Sequence, residues 1–463
     1  YNWAFARRHE GTFVLRIDDT DPARSTPENT AAILRAMRWL GLEWDEGPEA
    51  GGASAPYFQT QRGEVYRRDL ERLKASGAAY PCFCTPARLD EKREAARAKG
   101  GFSGYDRACR TLPDAEARRR LEGGQTHVWR LKVPEDRGEV FFADEIRGAM
   151  TFPADALDDF VLVRSDGTPT YNFATVVDDV EMRITHVIRG DDHLSNTPRQ
   201  MVLFEALGAQ VPAFAHMGLI LGTDGKRLSK RHGAVSVEAY RDAGYLPEAL
   251  LNYLALLGWS MDAETTLFSA RDLVANFDLG RVSRNPAIFD PEKLEWMNGV
   301  YIRALPPSEF VARIAPLLVE AGLCAPGDVE ERRDWFLELA PLVSERVKRL
   351  GEVVPMVRFL LADDIEVDET ARDKVLAQEG ASLALEASAD ALRVLPTFTA
   401  AAVEEALRAV PGGTGLKPKT VFQAVRVAVS GATVSPPLFE SLALLGKDRS
   451  VARIEAARAL AAA

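Results

Sequence analysis

An α/β domain interrupted by an insertion and followed by a helical region is the architecture this sequence predicts. Three observations predict it. Strand–turn–helix punctuation fills the first eighty residues and returns at 184–222; a Cys- and Gly-rich change of texture separates the two stretches; and an Ala-, Leu-, Glu- and Arg-rich run begins at Tyr301. With 463 residues the chain has length for about three domains, each able to bury a core. Hydrophobic residues at 46% and charged residues at 27% are ordinary for a globular protein and exclude disorder. The uncharged stretch 206–223 contains Gln210, Pro212, His216 and three glycines, so it reads as helix end, loop and strand rather than a membrane span. Four cysteines in this length are no disulfide scaffold, and a reducing cytoplasm is the expected location.

The elements follow in order. Residues 2–9 read as the end of a helix stopped at Gly11, and Thr12-Phe13-Val14-Leu15-Arg16-Ile17-Asp18 as a strand. Thr26-Pro27 is an N-cap followed by proline at the first helical position. That helix is expected to bury Ile33, Leu34, Met37 and Leu40 and to stop at Gly41. A second helix, 63–76, turns Val65, Leu70 and Leu73 inward. From 80 to 169 come a Cys-rich turn, a charged helix (86–99), a Gly-rich loop and short strands at 126–133 and 160–164, the texture of an insertion. Strands are expected again at 184–190 and 216–222, with a helix starting at Thr197-Pro198 between them. Beyond 223 the chain is mostly helical, with Gly412-Gly413 as an expected break.

Three segments could carry chemistry. Lys226-Arg227-Leu228-Ser229-Lys230-Arg231-His232-Gly233 follows a strand and a turn, and its four cations suit phosphate charge. A solvated basic loop is the plainer reading; its place at the carboxyl end of a strand favours the ligand. Leu15-Arg16-Ile17-Asp18-Asp19-Thr20-Asp21 gathers carboxylates that could hold an ammonium group or a divalent metal, or simply cap a turn. In Ile188-Arg189-Gly190-Asp191-Asp192-His193 an arginine ends a strand, presenting a planar fork suited to a carboxylate, and Pro169-Thr170-Tyr171-Asn172-Phe173 could add a phenol. No Walker A loop and no G-x-G-x-x-G after a strand is present, so any nucleotide binds by another route.

Taken in order, these segments resemble the bacterial glutamyl-tRNA synthetases, class I aminoacyl-tRNA synthetases. Two downstream stretches, 289–299 and 434–439, match as well, and the resemblance spans the whole chain. It implies a class I synthetase nucleotide-binding (Rossmann-type) α/β fold. An inserted α+β acceptor-binding domain and an all-α anticodon-binding region complete it. The implied division is a catalytic first half (1–79), an acceptor-stem insertion (80–169), a catalytic second half (170–225), a KMSKS-type loop with a stem-contact domain (226–300), and an anticodon-binding region (301–463) that breaks near 370. The implied reaction joins glutamate to tRNA(Glu) through a glutamyl-adenylate. Lys230 would be the catalytic cation on the ATP phosphates, with Arg227, Ser229, Asp192 and His193 also at ATP. Asp18, Arg16, Tyr171, Thr175 and Arg189 would hold glutamate, Arg189 at the side-chain carboxylate. Arg346, Lys348, Arg349, Lys417 and Lys419 would meet tRNA. ATP brings Mg²⁺ with it; the expected partners are tRNA(Glu), glutamate and ATP, with no DNA, no membrane and a monomeric state.

The sequence also departs from that pattern. Cys82-x-Cys84, then Cys109, has the spacing of the zinc knuckle of some members, but the fourth position is Thr111, no zinc ligand. A degenerate site is the expectation; water or Tyr105 could complete three thiolates. The family's HIGH signature would lie ahead of Tyr1, so the chain as given is expected to be inactive and residues 1–79 to pack poorly. A glutaminyl relative is disfavoured by the helical texture after Tyr301. Other readings are a non-catalytic tRNA-binding protein and a metal hydrolase built on Asp18, Asp191 and His193. The net charge of −11 argues against nucleic acid only as a total: 361–405 hold 11 acids and 3 bases, whereas 411–463 hold 7 bases and 3 acids.

Overall fold

The computed structural model describes residues 1–20, 25–98, 105–136, 138–153, 157–229 and 236–461. Within them the chain divides into two compact units, one formed by 1–238 with 251–290 and the other by 239–250 with 291–463.

The first unit is α/β. Helices α1 (Asn2–Arg8), α2 (Pro27–Trp39) and α3 (Gly63–Ala75) precede strand β1 (Ala79–Cys82). Thr26 caps α2 by accepting from Asn29 N, as its sequence signature requires. Helices α4 (Pro86–Ala98) and α5 (Asp114–Glu122) follow, then strands β2 (Val128–Leu131), β3 (Val140–Asp144), β4 (Gly148–Phe152) and β5 (Val161–Val163). After α6 (Tyr171–Glu181) come β6 (His186–Gly190), α7 (Thr197–Ala206), β7 (Ala213–Met217), β8 (Ile220–Leu221) and β9 (Ala287–Ile288). Strands β1-β2-β5 form an antiparallel sheet. A second sheet has the order β4-β3-β7-β6, with β3, β7 and β6 mutually parallel. The β3–β4 hairpin thus comes from the stretch read as an insertion yet extends the sheet that carries β6 and β7. Its core gathers Leu70, Leu73, Phe142, Leu162, Phe173, Val176, Leu203 and Phe214. On the opposite side of β6 and β7, Ile188 and Ala215 pack with Ala4, Trp259 and Phe277.

Four sequence expectations change here. Residues 12–18 are extended but make only isolated parallel bridges, Val14 to Glu46 and Ile17 to Phe58, because no neighbour offers them a continuous ladder. Ile33 is exposed while Leu34 and Leu40 are buried, so α2 turns a narrower stripe inward than its apolar residues allow. The expected strand 216–222 is two strands, broken at Gly218, where a Cβ would lie 2.3 Å from Asn285 O. Poor packing of 1–79 is not general: Ala4, Leu34, Tyr66, Leu70 and Leu73 are all buried.

The second unit is helical. Its core joins Phe310, Ile314, Phe336, Val357, Leu385, Leu407, Val425, Leu442 and Ile454 from successive helices. The expected break at Gly412-Gly413 is absent: the helix Ala400–Thr414 continues through both and ends at Gly415, which takes φ 73°. Burial of Val403, Leu407 and Val410 anchors that helix and overrides the weak propensity of its last turn. No helix among the described residues is long and apolar enough to cross a membrane.

Candidate active site

Helix α6 sets one wall of the site. Tyr171, Thr175 and Asp179 recur at helical spacing, so they share a face. That face lines a cavity of about 1130 Å³ bounded by residues 11–16 on one side and 183–189 on the other. Arg16, Asp18, Tyr171, Thr175 and Arg189, the five expected glutamate ligands, all line it. Arg16 is held in place: Nη1 donates to Asp179 Oδ1 and Nε to Asp18 Oδ1, both at 2.7 Å. Burial works against that guanidinium's charge, but Asp179 and Asp18 outweigh it and raise its pKa. Burial pushes the Asp179 carboxyl up to about 6 despite Arg16. Thr175 Oγ1 is buried with no hydrogen-bond partner in the protein, an orphan hydroxyl at the cavity wall.

The carboxyl ends of the parallel strands set the other wall, where α/β sheets place ligands. Register pairs Arg189 of β6 with His216 of β7, so their side chains lie abreast. Arg189 Nε donates to His216 Nε2 (3.1 Å) and Nη2 to Thr197 Oγ1 (2.9 Å). Burial lowers the Arg189 pKa, opposed by the nearby Tyr171. The Tyr171 hydroxyl is 3.4 Å from His193 Nδ1. Asp192 accepts from Arg227 Nη2 at 3.0 Å, tying the start of the basic loop to the end of β6. Ser229 is exposed. Lys230, the expected catalytic cation, lies outside the described residues.

The cysteines converge. Cys84 and Cys109 sulfurs are 3.5 Å apart, and the three thiols lie within 4.8 Å of one another. Tyr105 Oη is 3.2 Å from Cys82 Sγ and 3.7 Å from Cys84 Sγ, whereas Thr111 is exposed. A tetrahedral zinc with bonds of about 2.3 Å to sulfur separates its ligands by roughly 3.8 Å, so this donor set fits the ion. Arg88 Nη1 donates to Cys84 Sγ, and the Arg130 guanidinium stacks 3.8 Å from the Tyr105 ring.

Residues 1–296 match the family model of class I tRNA synthetases (E and Q), catalytic domain, and 309–458 that of an anticodon binding domain. A glutamate–tRNA ligase of Moorella thermoacetica is 46% identical over 99% of this chain and 93% of that protein. One from Saccharopolyspora erythraea is 44% identical over 98% and 91% respectively. The crystal structure of a glutamate tRNA ligase from Elizabethkingia meningosepticum, in complex with its amino acid, superposes with a TM-score of 0.87. It is 32% identical and aligns over 99% of this chain and 95% of that one. The chain belongs to the glutamate–tRNA ligase family. Its fold is the class I catalytic domain followed by a helical anticodon-binding domain.

In the ligase's helical unit the expected tRNA residues fall into distinct settings. Lys348 and Arg349 both reach Glu295, at 3.2 and 3.5 Å, and Arg349 also pairs with Glu352. Arg346 is exposed, as are Lys417 and Lys419 at the start of the helix Pro418–Ser430. Arg426, which the sequence did not single out, lies two turns along that helix from Lys419. Its Nη1 donates to Ser435 Oγ and to the carbonyls of Ser435 and Pro436. Burial and the neighbouring charge of Arg346 lower its pKa. Only the match of 434–439 to the family pattern hinted at this corner.

Proposed function

We propose that the cavity between 11–16 and 183–189 seats glutamate for activation, with Arg189 reading the side-chain carboxylate. As a glutamate–tRNA ligase of class I, the protein joins glutamate to tRNA using ATP. Members of this class use ATP with Mg²⁺. The finer reading rests on one observation: five residues from three distant segments line a single cavity. A guanidinium with fixed Nε and Nη2 offers its remaining edge to a carboxylate and rejects the neutral, half-donor amide of glutamine. Thr175 Oγ1 supplies a hydroxyl awaiting a partner, Tyr171 a hydroxyl that already meets His193, and Asp18 a carboxylate for the ammonium group. Asp192, His193, Arg227, Ser229 and Lys230 border ATP, Lys230 steadying the phosphates. The three thiolates and Tyr105 hold a zinc ion that braces the acceptor-binding stretch 80–169. Arg346, Arg426, Lys417 and Lys419 meet the anticodon of tRNA(Glu), and the enzyme works as a cytoplasmic monomer.

The test is Arg189→Ala in aminoacylation with glutamate and ATP varied separately. The KM for glutamate should rise between about 10- and 100-fold with the ATP KM unchanged. An unchanged glutamate KM removes Arg189 from the pocket.

A further inference from the structure

Arg189 does not orient itself. Its β-strand position fixes the Cα, but a long guanidinium side chain keeps several rotatable bonds that must be frozen before it can select a carboxylate by geometry. The structure shows what freezes them. His216, fully buried, sits between Arg189 and Asp144. Its Nδ1 is 2.6 Å from Asp144 Oδ2, and its Nε2 faces both Arg189 Nε (3.1 Å) and Thr197 Oγ1 (3.0 Å). Asp144 Oδ1 accepts main-chain N–H groups of Ile146 (3.0 Å), Arg147 (2.9 Å) and His216 (3.1 Å).

The proton positions follow from donor and acceptor counting. A guanidinium Nε–H can only donate, so His216 Nε2 must carry a lone pair. Asp144, an ionised carboxylate fed by three amides, can only accept, so His216 Nδ1 must carry the proton. An imidazolium would set Nε2–H against the Arg189 Nε–H and place two cations side by side in a buried pocket. We propose that Asp144 and His216 are positioning residues for the glutamate-reading arginine: the carboxylate selects the neutral Nδ1–H imidazole, and that ring, with Thr197, locks the Arg189 fork. The proposal rests on the reading of Arg189 given above and adds to it the origin of the fork's orientation. All three polar groups stand at the carboxyl ends of β3, β7 and β6, one strand each, while Phe142 and Phe214 fill the same face further back.

Asp144→Asn tests it without changing shape. The substituted amide keeps its oxygen on the three main-chain N–H groups and turns its NH₂ toward His216 Nδ1, which must then accept. The imidazole proton moves to Nε2 and opposes Arg189 Nε. In steady-state aminoacylation the glutamate KM should rise between about 10- and 100-fold while the ATP KM stays within about twofold. The preference for glutamate over glutamine should fall by a similar factor. A merely structural role would lower kcat and thermal stability and leave the KM values alone. Arg189→Ala run alongside separates the two levels. If it raises the glutamate KM and Asp144→Asn does not, the relay is refuted and the pocket reading stands. If neither does, the pocket reading itself is refuted. Should Asp144→Asn fail to fold, Thr197→Val removes the Nη2 acceptor, and a glutamate KM within about twofold of wild type then overturns the proposal.

Discussion

Asp178 offers the sharpest stability prediction, because one buried carboxylate holds the helix that presents Tyr171 and Thr175. It is fully buried on α6. Oδ1 accepts from Arg62 Nε at 2.6 Å, and Oδ2 from Gln59 Nε2 and the Tyr66 hydroxyl, both at 2.9 Å. Asp178→Ala strands a guanidinium that is 2% exposed, together with a buried phenol and amide. Removing one partner of a buried pair costs about 3–5 kcal/mol. Arg62 Nη1 keeps the carbonyls of Ser54 and Pro56, which argues for the lower end, about 3 kcal/mol. For a unit of this size that lowers its melting temperature by about 6–12 °C. Asp178→Asn should cost only about 1–2 kcal/mol, since its oxygen still serves Arg62 and the Gln59 amide, whose Oε1 lacks a partner, can flip to accept the new NH₂. Calorimetry of both variants, with the helical unit's transition as internal reference, decides the matter. A loss under about 1 kcal/mol for Asp178→Ala, or equal losses for the two, refutes the reasoning.

Asp179 should give the enzyme a pH-dependent stability term. Its carboxyl is pushed up to about 6 by burial, so the folded state binds the proton more tightly than the unfolded chain. The associated stability is full below about pH 4 and lost as pH rises through about 6. Asp179→Asn should therefore flatten the change in melting temperature between pH 5 and 8, and an unaltered slope would contradict the assignment. For the thiol cluster, Co²⁺ added to chelator-treated protein should produce thiolate-to-metal absorption bands that Cys84→Ser abolishes and Tyr105→Phe weakens. Absence of those bands in the wild type, with no zinc in the purified protein, would leave the cysteines without a metal.

How much of this was legible in the sequence depends on whether the information is local. Thr26-Pro27, Thr197-Pro198 and the strand ending at Gly190 announce themselves through proline in the first helical turn and an apolar run, and the structure starts helices and ends the strand there. Arg16, Asp18, Tyr171, Thr175 and Arg189 are expected from the family resemblance, and the fold brings all five to the lining of one cavity. Asp144, His216 and Thr197 were not found as a set. His216 is a single polar residue in an apolar strand, and Asp144 precedes a turn; only the register of β3, β7 and β6 makes them neighbours. Strand 12–18 failed for the converse reason. Its composition is right, but a strand is defined by its partners, and the chain around it provides one bridge at a time.

The same distinction between local and assembled information governs charge. A total of −11 says little about a polyanion, which meets individual groups at a few ångströms through a screened solvent. Lys348 and Arg349 already share Glu295, so a phosphate must compete with a carboxylate for them. Arg426 is different. Its Nη1 hydrogen bonds go to a hydroxyl and two carbonyls, which satisfy donors without cancelling charge, and Arg346 stands close enough to depress its pKa. Two like charges held together in the free protein raise its energy, and burial of one makes the cost larger. A bound phosphate or base-edge acceptor removes that repulsion and gains charge-assisted hydrogen bonds at once. On the proposed tRNA reading, a phosphate at Arg346 and Arg426 would relieve that repulsion, whereas one at Lys348 and Arg349 would compete with Glu295.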